Sequence, residues 1–345
     1  MTPLPEMRTA AVSGGAEWDA WVAGAPGSTA CHLAGWRAVM EDALGHEVKQ
    51  IVAYGPDGAW EGVLPLVRVR SRLFGHHLVS MPFLNDGGPL GTERARSALA
   101  AWAAAEAART GADLLELRTR APVEGPLSVS RRKVSVHLPL PATADELWEK
   151  TFRAKLRSQI RRAQREEMEI RFGAGEAGAF YEVFARNMRD LGTPVLPRRF
   201  FEALARSLAD AVVFAAVYHQ GRPVAAGCGF LHGGEFEITW ASSLREANAL
   251  SPNMLLYWGC MEHVIGRGAR VFNFGRCTPG GGTHRFKLQW GGEDVELPWT
   301  QWSASGVAST PSPDSPKFRA AVKAWTRLPL GVANTVGPVL ARLIP

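Results

Sequence analysis

The sequence predicts an α+β protein in which one structural unit occurs twice, and three observations carry that prediction. A hydrophobic fraction of 46% with 21% charged residues belongs to a chain able to bury a full core, and 345 residues suffice for two domains. Short apolar runs bounded by turn residues alternate with Ala-rich or amphipathic stretches. The order of these segments in the first half recurs in the second, and both halves combine a hairpin with a helix-linked parallel pair of strands.

In the first half, Ile51 to Tyr54 reads as a strand, Gly55 to Gly58 as a turn and Val63 to Leu66 as a second strand. A long helix around Trp102 stops near Gly111, and Leu114 to Arg118 is the next strand. The second half follows the same plan: Val212 to Tyr218, a turn at Gly221, Val224 to Phe230, a helix around Trp258 that stops at Gly268, and Val271 to Arg276. Pro139, Pro141 and Asp145 before a new helix put the boundary near 139–146, giving domains over 1–140 and 141–302. A Ser/Pro-rich linker over 303–316 leads to a tail over 317–345. There Phe318, Val322 and Trp325 recur at helical spacing among Lys317, Arg319, Lys323 and Arg327, a basic amphipathic helix that fits either packing on the body or lying on a membrane surface.

The net charge is +6, and the four cysteines, Cys31, Cys228, Cys260 and Cys277, show no metal-ligand spacing and fit a reducing compartment. The first thirty residues lack a basic start followed by an apolar run, and no apolar stretch reaches the roughly 18 residues of a membrane span. The expectation is a protein at work in the cytoplasm, with the inner face of the membrane as a further location reached through the tail. His76 and His77 are adjacent, and His137, His219, His232 and His263 show no nearby Cys/Asp/Glu sets at ligand spacing, so no metal is expected, and no Ser-His-Asp order or GxSxG elbow is present.

Two segments point to chemistry. From Trp148 to Arg165 an apolar stripe of Trp148, Phe152, Leu156 and Ile160 predicts a helix. Its other faces carry Arg153, Lys155, Arg157, Arg161 and Arg162 with no acidic residue between 150 and 165, a pattern that suits either a polyanion such as tRNA, a nucleotide diphosphate or anionic lipid, or a solvated face. No base-reading motif accompanies it. The second segment, FGRCTPGGGTHRFKLQWG over 274–291, joins a strand end to a glycine-rich loop and a basic, aromatic cluster. Gly280, Gly281 and Gly282 permit close backbone approach, and Arg276, His284, Arg285 and Lys287 suit an anionic ligand, although a hairpin tip with solvated charges would look the same.

This string resembles the C-terminal signature of the FemAB family of acyl-transferring proteins, especially the FemAB-type proteins associated with exosortase/PEP-CTERM exopolysaccharide loci. MPFLNDGGPL at 81–90, NMRDLGTPVLP at 187–197 and WASSLREANALSPNMLLYW at 240–258 extend the resemblance over nearly the whole chain. It implies two tandem GNAT-like domains with a central cleft, plus a C-terminal amphipathic helix. It also implies transfer of an acyl or aminoacyl group to an amino group, typically of a peptidoglycan precursor. By the same resemblance Lys287 is the electrostatic catalyst and Phe286 walls the pocket, while Arg276 and Arg285 hold phosphates or carboxylates. Arg189 and Asp190 then face the acceptor or form a helix-end salt bridge, Asn85 and Asp86 add acceptor contacts or simply make a turn, and Asn253 and Tyr257 lie near the donor site or serve as a cap neighbour and a core aromatic. No cofactor is expected to be tightly bound; the donor is aminoacyl-tRNA or acyl-CoA and the partner an anionic envelope or polysaccharide precursor. The segment from Leu244 to Pro252 has no glycine-rich pyrophosphate loop, which disfavours CoA. Two alternatives stay open: an acyl-CoA-dependent N-acyltransferase acting on an amino sugar, and a non-catalytic envelope-assembly adaptor.

Overall fold

In a computed structural model, residues 7–72, 74–125, 127–306 and 316–344 are described. The chain runs through β1 (Arg8–Val12), α1 (Ala16–Gly24), α2 (Trp36–Ala38), β2 (Glu47–Tyr54), β3 (Trp60–Ser71), β4 (Gly75–Val79) and β5 (Leu90–Gly91). Then come α3 (Glu93–Thr110), β6 (Leu114–Leu117), β7 (Ser128–Ser130), β8 (Val134–Pro139), α4 (Ala144–Glu146), α5 (Ala154–Gln164) and β9 (Met168–Phe172). Next are α6 (Ala177–Leu191), α7 (Arg198–Ser207), β10 (Val212–His219), β11 (Arg222–His232), β12 (Glu235–Ser243), α8 (Pro252–Gly266) and β13 (Val271–Cys277). The last elements are α9 (Gly282–Leu288), β14 (Glu293–Glu296), β15 (Trp299–Ser303), α10 (Pro316–Trp325) and α11 (Leu330–Ala341).

These elements form two compact units. The first contains the described residues up to Arg132 with 296–306 and 342–344, and its sheet has the order β1-β2-β3-β4-β6-β15-β7, with β5 on β3. β4 and β6 are parallel and α3 joins them. Thr92 caps α3 by accepting the Ala95 N–H, and the helix stops at Gly111, whose φ of 65° a side chain would resist. Ala95, Leu99, Ala100, Ala103 and Ala107 on its inner face pack on Leu64, Leu66, Leu78 and Leu115; the run of alanines brings the helix close to the sheet.

The second unit contains residues 133–295 and 316–341, with the sheet order β14-β8-β13-β12-β11-β10-β9. Here β12 and β13 are the parallel pair and α8 the crossover. Their register runs only from Glu235 opposite Val271 to Glu237 opposite Asn273. Beyond that point β12 stays on β11 and β13 stays on β8, so the sheet opens toward the ends of both strands. Rings of Phe180, Phe184, Phe201, Phe214 and Trp240 fill one side of this unit with centroids 4.9 to 5.7 Å apart.

Each unit therefore repeats antiparallel strands, a helix and a parallel strand, as the sequence predicts. The structure adds β4 and β12 to that repeat, and departs from the expected limits in four places. β8 belongs to the second unit and β15 to the first, where it lies between β6 and β7. The helix expected over Trp148 to Arg165 is broken: Phe152 is extended (φ −77°, ψ 125°), which turns its ring onto Trp148, Trp258 and Trp290, and α5 starts afresh at Ala154. The tail is two helices rather than one. Of the expected linker, 307–315 lie outside the described residues.

The tail helices pack on α6 through small residues. A Cβ at Gly337 would lie 3.0 Å from the Val195 nitrogen, and one at Gly192 would lie 2.5 Å from Val322 Cγ1. On α11 the buried positions are Ala333, Gly337 and Ala341, whereas Val332, Val336 and Val339 are 45%, 41% and 52% exposed. The helix thus turns its small residues inward and its valines outward, the reverse of a helix that packs for apolar burial.

Candidate active site

At the end of β13 the chain leaves the sheet through Cys277 and turns into α9. Gly280 has φ 75°, a conformation that favours glycine, and the Gly281 N–H closes the turn on the Thr278 carbonyl at 3.1 Å. Side chains of α9 clamp this loop. His284 Nδ1 accepts the Gly280 N–H at 3.0 Å, its Nε2 pairs with Asp294 Oδ1 at 2.7 Å, and Arg285 Nη1 donates to the Gly280 carbonyl at 2.7 Å. With Nδ1 accepting and Nε2 donating, both nitrogens of His284 hold structure.

Lys287 lies on the inner side of α9, 4% exposed. Its Nζ donates to the carbonyls of Gly275 at 2.6 Å and Arg276 at 3.1 Å. Burial holds its pKa below the usual lysine value, and the nearby charge of Arg276 acts in the same direction. Phe286 packs edge-on to Tyr257 at 5.1 Å and lies 6.2 Å from Trp290; Tyr257 in turn stacks on Phe274. Burial pushes the Tyr257 hydroxyl far above its ordinary pKa and the Cys277 thiol upward, so neither ionises near neutral pH.

A cavity of about 370 Å³ opens beside the loop, lined by Lys133, Arg276, Cys277, Thr278, Gly281, Gly282 and Thr283. Lys133 Nζ donates to Thr278 Oγ1 at 2.5 Å. Its pKa is lowered, first by burial and then by Arg276. Two cations in one cavity repel each other, and an anionic group between them relieves that repulsion.

The structure brings Lys287, Phe286, Arg285, Arg276 and Tyr257 together around β13 and α9. Asn253 stands elsewhere on α8, donating to Ser243 Oγ at 3.1 Å and so tying the helix start to the end of β12. On α6, Arg189 Nε lies 2.7 Å from Asp190 Oδ1 without its N–H aimed at the oxygen, so the contact is an ion pair and not a hydrogen bond. Arg189 Nη1 also donates to the Leu328 carbonyl at 3.2 Å, and the Asp190 carbonyl accepts from Arg245. Asn85 and Asp86 are buried in the first unit. Arg153, just before α5, and Lys155, Arg161 and Arg162 on it are exposed, whereas Arg157 turns back to the Trp148 carbonyl at 3.1 Å.

Three residues that sequence reasoning did not single out complete the site: Lys133, Asp294 and Asn273. Asn273, 1% exposed, accepts from Ser135 Oγ and the Gly275 N–H and donates to Glu235 and Glu237. Its position between Phe272 and Phe274 was the available signal, since a polar side chain in an apolar strand needs partners for all its groups. Among the described residues no cluster of His, Cys, Asp or Glu could hold a metal ion.

Two mixed units of this topology, the second opening between its parallel strands, make up a GNAT-like fold, as likenesses to known proteins bear out. Residues 150–288, which run from just before α5 through Lys287, match the family model of the acetyltransferase (GNAT) domain. The chain as a whole is similar to the crystal structure of FemX, with a TM-score of 0.65 and 15% identity over 86% of this chain and 97% of that one. It is also similar to a tandem GNAT protein from the clavulanic acid biosynthesis pathway, with a TM-score of 0.53 and 12% identity over 88% and 100%. A third likeness is to the C-terminal domain of a putative lysylphosphatidylglycerol synthetase from Agrobacterium fabrum, with a TM-score of 0.54 and 15% identity over 78% and 87%. No curated protein matches the sequence. At these identities the likeness is one of fold, and that fold is the tandem GNAT arrangement.

Proposed function

We propose that the protein is an acyltransferase that forms an amide bond on an amino group of an anionic envelope or exopolysaccharide precursor, with aminoacyl-tRNA as the donor. The observation that carries this reading is the setting of Lys287. An ammonium has three N–H donors. The carbonyls of Gly275 and Arg276 take two and fix its position, which leaves the third for the substrate.

The chemistry needs little more than that. The acceptor's neutral amine attacks the ester carbonyl, the C–N bond forms, and the carbonyl oxygen becomes an oxyanion. Its collapse breaks the C–O bond to the tRNA ribose, whose oxygen takes the proton the amine gives up. Lys287 stabilises the oxyanion, a contribution of about 10²- to 10³-fold in rate for a buried, preorganised donor. Phe286 and Tyr257 exclude water, Arg276 and Lys133 hold anionic groups, and the exposed cations of α5 hold the RNA backbone by charge. The outward valines and the five cations of 316–344, a stretch without an acidic residue, dock the protein on an anionic membrane surface.

One observation favours a second reading with acyl-CoA as donor. The opening between β12 and β13 leaves room beside strand edges for an extended, amide-bearing arm to pair with the backbone. The experiment that separates the two is transfer of label from a mixed pool of aminoacyl-tRNAs, and in parallel from acyl-CoAs, to an extract of small-molecule and lipid-linked precursors. Transfer from tRNA that disappears in Lys287→Met supports the first reading; transfer from CoA alone supports the second. Cellular function that survives Lys287→Met points to the adaptor.

A further inference from the structure

Within β13 the pairing with β8 slips just where the chain reaches Lys287. Between the paired positions Asn273 with His137 and Arg276 with Ser135, Phe274 and Gly275 of β13 stand opposite the single Val136 of β8, which is a β-bulge. Gly275 takes φ 72°, a conformation that favours glycine. A bulge turns the strand, and here the carbonyls of Gly275 and Arg276 both come to accept from the Lys287 ammonium.

Asn273 holds this bulge. Its Oδ1 accepts the Gly275 N–H at 2.8 Å, a turn in which a side chain ties down the backbone two residues on, and accepts Ser135 Oγ at 2.6 Å. Its Nδ2 donates to Glu235 Oε1 at 2.8 Å and to Glu237 Oε2 at 3.3 Å. Ionised carboxylates only accept, so the amide meets them with its nitrogen and turns its oxygen to Gly275. Both lone pairs of Oδ1 and both protons of Nδ2 are thus used, and the side chain has one orientation. Gly275 is in turn pinned at both ends, by Asn273 on its N–H and by the pairing of Arg276 with Ser135. Without the first of these a glycine has a wide range of backbone conformations, and its carbonyl would swing.

We propose that Asn273 is a positioning residue for Lys287: by fixing the Gly275 N–H it aims the Gly275 carbonyl at the ammonium and so sets where that charge sits. It acts through Gly275 and touches no reacting atom. The two glutamates of β12 are the anchor of this device, and the charge they help to place lies beyond the bulge, on α9. Its part in catalysis rests on the proposed role of Lys287 in acyl transfer.

Asn273→Ala tests this through turnover and through the titration of Lys287, followed by NMR of isotope-labelled lysine in the full chain without substrate. The variant should lower kcat about ten- to a hundredfold with the donor KM within a few fold. The ammonium, no longer held by a fixed carbonyl, should swing toward water, and its pKa should rise from its lowered value toward the ordinary one. Arg276 and Cys277 of β13 and Glu237 of β12, which also face it, keep their side chains in the variant. Ser135→Ala removes a donor from the same buried amide and leaves the Gly275 bond in place. It should lower the urea midpoint but keep the wild-type rate and titration, whereas a merely structural role predicts that the two variants behave alike. Should Asn273→Ala fail to fold, Asn273→Asp combined with Glu235→Gln exchanges amide and carboxylate, keeps an acceptor for the Gly275 N–H, and should retain the Lys287 titration. An unshifted titration in Asn273→Ala, the same shift in Ser135→Ala, or a shifted one in the double variant would overturn the proposal. The titration needs no substrate, so it stands even where Lys287→Met keeps wild-type turnover, an outcome that would remove the acyl-transfer role alone.

Discussion

The ammonium of Lys287 reaches back twelve residues to the carbonyl of Gly275 and donates to it at 2.6 Å. The end of β13 and the start of α9 are thereby tied by a charge, and the group proposed to act in chemistry is held in place before substrate arrives. Preorganisation of this sort lowers the reorganisation needed in the transition state.

Lys287→Met should therefore reduce kcat by about a hundredfold or more while leaving the donor KM within a few fold, because the interaction is made only in the transition state. Single-turnover measurements with saturating donor check this. Wild-type turnover in the variant would remove Lys287 from the reaction.

The lowered pKa of Lys287 gives opposite pH trends for activity and stability. The unfolded chain binds a proton at Lys287 up to the usual lysine value, whereas the folded chain releases it earlier. Activity should fall as pH rises through the folded value. Over the window between the two values the unfolded state holds more protons, so this group's contribution to stability rises with pH. Parallel pH profiles of rate and of urea midpoint, wild type against Lys287→Met, should show both slopes vanish in the variant.

His284→Ala removes the acceptor of the Gly280 N–H and the partner of Asp294. A loss of about 1 to 3 kcal/mol is expected, with faster amide exchange confined to the loop before α9. Asp294→Asn should cost less, since that carboxylate is 44% exposed. Denaturant titration and hydrogen exchange would measure both.

On α5, replacing both Arg161 and Arg162 by Gln should weaken RNA binding at every sequence tested and reduce the slope of log K against log salt by about one to two. Arg157→Gln should instead lower stability, because its guanidinium caps the carbonyls of Trp148 and Glu149. A salt series with bulk tRNA distinguishes these outcomes. An unchanged slope would take the RNA backbone away from α5.

For the tail, serine at Val332, Val336 and Val339 together should abolish sedimentation with anionic vesicles and leave the melting temperature nearly unchanged, since all three side chains are exposed. Gly337→Leu should do the reverse and destabilise the packing on Val195. Equal sedimentation of the serine variant and the wild type would exclude the valine face as the contact.

Much of the fold was legible because period and punctuation agree over β10, β11, α8 and β13. β4 and β12 were harder to read: Gly-His-His-Leu-Val and a strand with Glu235 and Glu237 place polar groups where an apolar run would mark a strand. Those glutamates are held by Asn273, a contact between strands that sequence distance conceals. The loop and its lysine were visible in the sequence. Lys133 was not, because it reaches Thr278 across 145 residues. The break at Phe152 lies within an unbroken apolar stripe, and only the aromatic cluster around it supplies the reason.

The exchange of β8 and β15 between the units also sets an order of assembly during synthesis. β15 enters the first sheet between β6 and β7, yet it leaves the ribosome about 170 residues after β7, roughly ten to thirty seconds later at ordinary elongation rates. Through that interval β6 and β7 have no strand between them, while nearly all of the second unit's sheet has already emerged. The sheet that begins first is thus the sheet that closes last, and a nascent chain stalled before Trp299 would expose a raw sheet edge to its neighbours on the polysome.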